Sequence, residues 1–446
     1  MTSATHTFLP TEPIPVIANR PPWRETFSSL RVPNFRLYVS GQVIATTALG
    51  MQRVTQDWLV LQLSGSVAAV GITVAMQFAP MLFFGLMGGV IADRYSKRRL
   101  LIITQSTAAT IAATLAVLVL TGGIQVWHIW ALAFCLGLVT VIDNPARQVF
   151  VNEIVGPRNI RNAISVNSST FQLGSLIGPA VGGIAITAVG SGWAFAINAV
   201  ACLVVVSTIV AMNSARLLRV PPMLRSKGQL AEGLRYAAEK PAILWTLIVL
   251  GSVALFAFNM PVLLAAYADN VFKVGASGYG LFNAMVAAGA LAGAIASARR
   301  VRVGLRTTIL GAAVLGLLQA SAGLMPMIAP FTIMIVAAGA SSLLFLTAAN
   351  TLVQTSSNLS IRGRVMALYI LVQLGGQAIG GPIMGWIVEA LGPNAGMIIS
   401  GLVPLLVACV AGTILARKKR LTLRLRTAKR MPRLAIVPRR VAHAQR

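Results

Sequence analysis

Apolar runs of 18 or more residues recur along most of this 446-residue sequence. Each run is long enough to cross the roughly 30 Å hydrocarbon core of a bilayer as a helix. There are twelve candidates, at residues 37–63, 68–91, 99–121, 126–146, 163–189, 192–212, 242–265, 277–298, 306–325, 329–350, 365–390 and 394–416. The runs are continuously apolar and far longer than the roughly 10 residues of an alternating membrane strand. The sequence therefore predicts an all-α membrane protein with twelve transmembrane helices.

The small share of charged residues excludes the main alternative, a large soluble helical protein. Hydrophobic residues make up 56% of the chain and charged residues only 11%. So few charges could not cover the surface of a soluble protein of this length.

The positions of the basic residues decide what the net charge of +27 means. A charge of this size can indicate a nucleic-acid partner. When the spans are laid out in order, however, 35 of the 37 Lys and Arg residues fall on one face of the membrane, and only Arg53 and Lys273 do not. Such an excess marks the cytoplasmic face. We therefore expect a multi-pass protein of the plasma or inner membrane with both termini in the cytoplasm, a lipid bilayer around it and no nucleic-acid partner.

The same pattern divides the chain into five parts. They are a disordered cytoplasmic N-terminal lead (1–34), an N-terminal six-helix half (35–212), a central cytoplasmic loop (213–241), a C-terminal six-helix half (242–416) and a basic cytoplasmic tail (417–446). The lead is polar, rich in proline and without an apolar core of its own, which is typical of disordered segments.

A short repeat relates the two halves. The first half contains NPARQ and the second contains NTLVQ at a corresponding place among the spans. The spacing that follows is also shared, because 17 residues separate Arg161 from Gly178 and Arg364 from Gly381. This match in residue types, spacing and position indicates two parallel repeats around an axis along the membrane normal.

The stretch GGVIADRYSKRR (88–99) lies between the second and third spans. Its glycines allow a neighbouring helix to approach closely. The order of glycine, Asp-Arg and basic cluster resembles the loop 2–3 signature of the major facilitator superfamily, except that Ser96 stands where that family usually has glycine. A plain positive-inside turn would explain the basic residues but neither the acid nor the glycines. The resemblance implies a conformational latch formed by Gly89, Asp93, Arg94 and Arg98.

The stretch GSLIGPAVGG (174–183) in the fifth span resembles the glycine-proline motif typical of exporters in this superfamily. Its small residues form a flat strip, and the proline bends the helix within it. An extra glycine expected nine residues upstream is replaced by Ser165. The residues of this exporter motif are Gly174, Gly178, Pro179, Gly182 and Gly183.

Two further stretches, DNPARQVFVNEIV (143–155) and RGRV (362–365), are similar to the branch of the superfamily that contains the enterobactin exporter and the macrolide-efflux transporters. We expect their charged residues, with one arginine between them, to belong to cytoplasmic gate loops. These residues are Asp143, Arg147, Arg161, Arg362 and Arg364.

Asp57 is the acid that the sequence places well inside a span, within QRVTQDW of the first one. Ionisable groups inside a bilayer are costly and usually functional. Arg53 lies four residues earlier, so the two side chains share a helical face and can pair. We predict that Asp57 and Arg53 couple transport to protons. The alternative is a salt bridge that only packs helices near the outer interface.

The other polar residues within the spans predict a substrate cavity. The polar face of the first span is dense enough to face a cavity, whereas isolated amides in other spans can instead form interhelical hydrogen bonds. The predicted cavity residues are Gln42, Gln52, Gln56, Asn259, Asn283, Gln319, Gln373 and Gln377.

The sequence contains no phosphate-binding loop, metal-ligand cluster or nucleophile–base pair, and so predicts no enzyme activity, cofactor or metal. We expect a monomeric, proton-coupled exporter of small amphipathic molecules such as drugs or a siderophore, which works by alternating access of its two halves. The alternatives are an importer or facilitator of the same fold, or a membrane sensor or scaffold that does not transport.

Labelling of single engineered cysteines checks the predicted topology. In a background without Cys135, Cys202 and Cys409, we expect Ser226→Cys in the central loop to react with an impermeant maleimide only in permeabilised cells. Lys273→Cys, on the other face, should react in intact cells and is the matched control. Labelling of position 226 in intact cells would contradict the topology.

Overall fold

Long helices make up nearly all of the computed structural model, which describes residues 28–218, 229–298, 304–358, 361–418, 421–428 and 431–438. The first part of the chain forms 3₁₀ turns at Ser28–Arg31 and Ser214–Arg216 and the helices α1 (Pro33–Ser64), α2 (Val67–Arg94), α3 (Lys97–Leu120) and α4 (Val126–Val210). The second part forms α5 (Gln229–Glu239), α6 (Pro241–Ser252), α7 (Met260–Ala266), α8 (Gly275–Ala298), α9 (Leu305–Ala322), α10 (Ile328–Ser356), α11 (Arg362–Leu391) and α12 (Pro393–Lys418).

Helix α4 runs through 85 residues but reverses direction twice. The reversals occur at Gly156 (φ 68°, ψ 177°) and Gly190 (φ 85°, ψ 164°). A positive φ of this kind is readily adopted by glycine but strained for other residues. The breaks divide α4 into three segments, which we call α4a (126–155), α4b (157–189) and α4c (191–210).

The helices are consistent with the predicted number of spans. Ten helical stretches among the described residues are long and apolar enough to cross a membrane. One of them, Asn162–Val210, contains the reversal at Gly190 and so provides two crossings. The polar helix α1 adds a further crossing by its length of 32 residues. An all-α arrangement of twelve spans is therefore consistent with the structure.

The seventh span is interrupted rather than continuous. Between α6 and α7 lies a π-helical turn (Val253–Ala257), and a second one (Tyr267–Val271) follows α7. The side-chain Nδ2 of Asn259 donates to the carbonyl oxygens of Ala254 at 3.3 Å and Leu255 at 2.9 Å. These bonds satisfy carbonyl groups beside the break, so this asparagine stabilises its own span.

Both ends of the chain differ in detail from the expected lead and tail. The predicted disordered lead falls largely outside the described residues, but Ser29 within it is buried and its N–H donates to Oδ1 of Asn162 at 3.0 Å. In the basic tail, strands β1 (Leu421–Ala428) and β2 (Met431–Pro438) form an antiparallel hairpin, which the sequence analysis did not predict.

One apolar cluster joins the two halves at one end of the bundle. It includes Trp58 and Leu61 of α1 together with Leu263 of α7, Tyr279 of α8 and Val388 of α11. At the opposite end the buried apolar residues form separate clusters, one within each half. We call the first end the closed end. We call the other the basic end, because the basic turn between α2 and α3 lies there.

Glycines bring the halves into contact near the closed end. A Cβ atom on Gly183 of α4b would lie 2.9 Å from the Cα of Gly280 in α8. A Cβ atom on Gly381 of α11 would lie 2.6 Å from the carbonyl oxygen of Gly71 in α2. Larger residues would force these helices apart, because real Cβ atoms do not come so close to backbone atoms.

The two glycine-proline strips also pack against their own halves. A Cβ on Gly178 would lie 2.6 Å from the carbonyl oxygen of Thr47 in α1, and one on Gly376 would lie 2.6 Å from the Cβ of Ala254 in the seventh span. The fifth and eleventh spans thus occupy corresponding positions, each touching a helix of its own half and a helix of the other. This arrangement is the one expected for two parallel repeats.

Glycine-to-alanine substitutions test the inter-half contact. Gly183→Ala should destabilise the contact by about 1–3 kcal/mol, since the added methyl group meets backbone that cannot move aside locally. Gly412→Ala is the matched control, because its Cβ would lie 3.9 Å from the nearest side chain. Equal melting temperatures of the two purified variants in detergent would contradict this interpretation.

Candidate transport site

A cavity of about 860 Å³ lies wholly within the N-terminal half. Its walls come from α1, α3 and the three segments of α4. Eight of the lining side chains are carboxamides, namely Gln42, Gln52, Gln105, Asn144, Gln148, Asn152, Asn167 and Asn198. We call this space the amide cavity. Its size is typical of sites that bind small molecules.

An ion pair lies in the wall of the amide cavity. Asp143 and Arg147 are four residues apart on α4a, and Nε of Arg147 donates to Oδ2 of Asp143. The other oxygen of Asp143 accepts from Oγ1 of Thr104 at 2.7 Å and from Nε2 of Gln105 at 3.1 Å. Arg147 also donates from Nη1 to Oε1 of Gln42. The network ties α1, α3 and α4a together and leaves the cavity wall without net charge.

A polar stripe on α4a faces the same cavity. Thr140, Asn144, Gln148 and Asn152 recur every four residues, and all four line the cavity. This spacing places them on one face of the helix. The last three are exposed although they belong to a long apolar helix, which fits a water-filled space rather than lipid.

A second cavity of about 240 Å³ lies between the halves. It is lined by charged or polar side chains of both halves and by aromatic rings, including Arg53, Asp57, Gln77, Phe78, Phe258, Tyr279, Asn283 and Gln377. We call it the carboxylate cavity. It shares Thr46, Leu49 and Phe171 with the amide cavity, so these three side chains lie between the two spaces.

Asp57 is 3% exposed and connects the two halves. The Tyr279 hydroxyl donates to its Oδ2 at 3.1 Å, and Nε2 of Gln77 lies 3.4 Å from its Oδ1. The Tyr279 ring also stacks on Trp58, with ring centroids 5.9 Å apart. The bond from Tyr279 is a direct hydrogen bond between the halves.

Arg53 does not form the expected direct ion pair with Asp57. Its guanidinium carbon lies 5.4 Å from the centre of the Phe78 ring, which is a cation–π geometry. Both residues still line the carboxylate cavity, so their charges face the same space. Asp57 therefore has polar neutral partners, and the arginine charge lies nearby without touching it.

The predicted cavity residues separate into three groups. Gln42 and Gln52 line the amide cavity, whereas Asn283 and Gln377 line the carboxylate cavity. Gln373 lines neither of these two cavities. Its main-chain carbonyl oxygen accepts a hydrogen bond from Nε2 of Gln377 at 3.3 Å.

The other predicted cavity residues are packed inside the helix bundle. Gln56, Asn259 and Gln319 are fully buried and line neither cavity. Nε2 of Gln319 donates to the carbonyl oxygen of Ala257 at 3.2 Å, beside the interrupted seventh span. Asn259 and Gln319 thus donate hydrogen bonds to backbone carbonyl groups beside the interruption of the seventh span.

The residues expected in gate loops lie on helices instead. Asp143 and Arg147 belong to α4a because the chain turns at Gly156, later than the apolar run suggested. Arg362 and Arg364 belong to the first turn of α11, and Nη2 of Arg362 lies 3.5 Å from the Ser357 carbonyl oxygen. The remaining one, Arg161, has its backbone in α4b and its side chain outside the described atoms.

Arg98 of the predicted latch makes its contacts within its own half in this conformation. Arg98 caps the end of α4c by donating to the carbonyl oxygens of Ile209 at 3.2 Å and Val210 at 2.7 Å. Lys97 approaches Glu153 of α4a at 3.6 Å. Gly89 and Arg94 lie in the last turns of α2, where Asp93 also has its backbone, while the Asp93 side chain is not among the described ones.

Sequence reasoning missed Tyr279, Gln77 and Asn198. Tyr279 lies four residues before Asn283, a residue predicted to line the cavity. A tyrosine at this spacing in an apolar helix is a signal from which the sequence could have indicated its role. Asn198 donates to Oε1 of Gln52 across the amide cavity wall. Gln77 follows Asp57 by 20 residues, and only the folded hairpin of α1 and α2 brings them together.

No metal site is recognisable in the part of the chain that the structure describes. Within it, no group of three or more His, Cys, Asp and Glu side chains could hold a metal ion.

Comparisons with known proteins found a matching family and similar exporters. The model of a family described as "Transmembrane secretion effector" matches residues 24–438. The enterobactin exporter EntS of Escherichia coli O1:K1 / APEC is 26% identical over 411 residues, covering 90% of this chain and 97% of the exporter. EntS of E. coli O6:K15:H31 (strain 536 / UPEC) is 27% identical over 412 residues with the same coverage.

Solved transporters have a similar fold. A bacterial homolog of the human lysosomal transporter Spinster, in an inward-facing and unoccupied conformation, gives a TM-score of 0.68 at 16% identity, covering 86% of this chain and 97% of that one. The nucleoside transporter NupG gives 0.70 at 12% identity, covering 86% and 99%. At these identities the likeness concerns the fold alone.

The buried ion pair provides a test of the amide cavity. Arg147→Gln should lower stability by about 1–3 kcal/mol, because it leaves the Asp143 carboxylate with only neutral donors. The double variant Asp143→Asn/Arg147→Gln should recover at least half of the loss. The melting temperature of the purified protein measures both effects. A double variant less stable than the single one would contradict the pairing.

Proposed function

The chain belongs to the transmembrane secretion effector family of the major facilitator superfamily, and from that premise we propose that it exports a small amphipathic molecule in exchange for protons. It is a membrane transporter rather than an enzyme. The family description and the exporter-type strip around Gly178 support the outward direction over import. The direct bond between Asp57 and the opposite half is the observation that carries the coupling proposal.

We place the protein in the inner membrane with the basic end in the cytoplasm. The distribution of Lys and Arg supports this orientation. With it, the closed end faces outward, and the lack of a shared apolar cluster among the described residues of the basic end supports an inward-facing state. Both termini then lie in the cytoplasm, and the exporter works as a monomer.

The two cavities have different roles in this proposal. The amide cavity, with Gln42 and Gln52, receives the substrate from the cytoplasm. The carboxylate cavity, with Asn283 and Gln377 beside Asp57, takes the proton. The similarity to enterobactin exporters supports a siderophore as the substrate, and drugs of similar amphipathic character are the wider class.

Asp57 couples the proton to the movement of the halves. As a carboxylate it accepts a charge-assisted hydrogen bond from Tyr279, which holds the closed end together. A proton on Asp57 removes the charge and weakens that bond, so the closed end separates more easily. Arg53 keeps a positive charge in the same cavity. This charge favours the carboxylate form of Asp57 and so promotes release of the proton.

The other predicted site residues control the movement at the basic end. We propose that Gly89, Asp93, Arg94 and Arg98 latch the halves when the basic end closes; in the present state Arg98 caps a helix of its own half. The charged residues Asp143, Arg147, Arg161, Arg362 and Arg364 lie near the same opening and would meet across it on closure.

Inverted membrane vesicles test the proposed function. Wild-type protein should accumulate enterobactin when the vesicle interior is acidified, and collapse of the proton gradient should stop accumulation. Asp57→Asn should lower uphill accumulation about 100-fold or more, because the proton step is lost. Substrate binding should persist, because the amide keeps the shape of the side chain and a hydrogen bond.

Asp269→Asn is the matched control. Asp269 is exposed near the closed end and lines neither cavity, so its neutral variant should accumulate substrate normally. Gradient-dependent uptake by Asp57→Asn at the wild-type rate would show that coupling lies elsewhere. Absence of enterobactin uptake by the wild-type protein would reject this substrate.

A further inference from the structure

The amide cavity offers many hydrogen bonds and no net charge. The acid and the base in its lining, Asp143 and Arg147, are bonded to each other. The remaining polar groups are eight carboxamides and three hydroxyls. Each carboxamide presents both an acceptor oxygen and a donor nitrogen. The cavity therefore suits a ligand surface on which hydrogen-bond donors and acceptors are mixed.

Part of this hydrogen-bonding capacity is unused. Gln52 is 2% exposed, and its Oε1 accepts from Asn198 while its Nε2 has no partner. No hydrogen bond between described residues uses the side chains of Asn144 or Gln148. A buried donor without a partner is costly unless water or a ligand satisfies it.

Equivalent amide residues of the internal repeat have different surroundings in the two halves. Asn144 and Gln148 in NPARQ correspond to Asn350 and Gln354 in NTLVQ. In the C-terminal half these two amides satisfy each other, because Nε2 of Gln354 donates to Oδ1 of Asn350 at 2.6 Å. In the N-terminal half the equivalent amides face the cavity instead. The same pair of residue types thus stabilises a helix surface in one half and remains available in the other.

We infer that the amide cavity binds an uncharged part of the exported molecule that carries hydroxyl and amide groups. This inference rests on the proposed export function and names the chemistry that the site selects. An organic cation would find no unpaired carboxylate there, and an anion would find no unpaired base. Both charged classes would lose hydration without gaining an unpaired opposite charge.

Phe171, Leu49 and Thr46 separate this ligand from the proton site. These three residues line both cavities, so a ligand in the amide cavity contacts the same side chains that border the space around Asp57. The uncharged part of the substrate and the proton therefore occupy neighbouring compartments rather than a single shared one.

Equilibrium dialysis with the purified, detergent-solubilised full chain tests the inference. The probe is N-methyl-2,3-dihydroxybenzamide, an uncharged molecule with two hydroxyls and an amide, and the comparison ligand is the cation tetraphenylphosphonium. Gln148→Leu and, separately, Asn144→Leu should each weaken binding of the benzamide by about fivefold or more. Both residues are exposed to the cavity, so the variants should fold, as a monodisperse gel-filtration peak will verify.

Gln354→Leu is the matched control at the equivalent repeat position and should change benzamide binding by less than about twofold. Unmodified protein that fails to bind the benzamide would overturn the inference, as would equal losses in Gln148→Leu and Gln354→Leu. Tighter binding of the cation, lost in Gln148→Leu, would overturn it in favour of a cation site. Because dialysis needs no gradient, failure of proton-driven export in vesicles is distinguishable from failure of this binding.

Discussion

Close backbone contact between glycines is the constraint on which the arrangement of the two halves depends. Lipid tails are as apolar as the helices, so helices associate in a bilayer through close packing and hydrogen bonds. Gly183 lies so close to Gly280, and Gly381 so close to Gly71, that no side chain would fit between the backbones. These contacts lie toward one end, where a shared apolar cluster also forms, whereas toward the other end the buried apolar residues form one cluster in each half. Flat glycine contacts let the helices slide or part without interlocked side chains at those points, which suits alternating access.

The halves contribute unequally to the site although their helices are arranged alike. The large cavity and its ion pair belong to the N-terminal half, whereas the C-terminal half supplies Tyr279 to the smaller cavity. The direct polar link between them, from Tyr279 to Asp57, lies just inside the closed end. Because this hydrogen bond joins the two halves directly, a change of charge on Asp57 acts on a contact between them. This is the physical basis of the coupling proposed above.

Sequence periodicity predicted the helices and the glycine strips well, because both depend on local runs of residue types. It also predicted that Asp57 lies inside the bundle. It placed Asp143 at the inner end of the fourth span and Arg147 just beyond it, as parts of a gate loop, whereas the chain continues as a helix until Gly156, a turn that hydropathy alone does not reveal. It could not identify which amides face a cavity, since helix rotation and the interrupted seventh span bury Gln56, Asn259 and Gln319. Tyr279 becomes a partner of Asp57 only through contact between residues 222 positions apart.

Distances between spin labels, measured by double electron–electron resonance, test most directly whether the Tyr279–Asp57 bond holds the closed end together. In protein without native cysteines, labels would replace Leu63 and Met327 at the closed end, or Tyr95 and Asn358 at the basic end. Removing only the hydroxyl, with Tyr279→Phe, should lengthen the closed-end distance and shorten the basic-end distance. The control Tyr267→Phe, which removes a buried hydroxyl that has no partner, should leave both unchanged. Unaltered distances in Tyr279→Phe, or two distances that change in the same direction, would contradict the account.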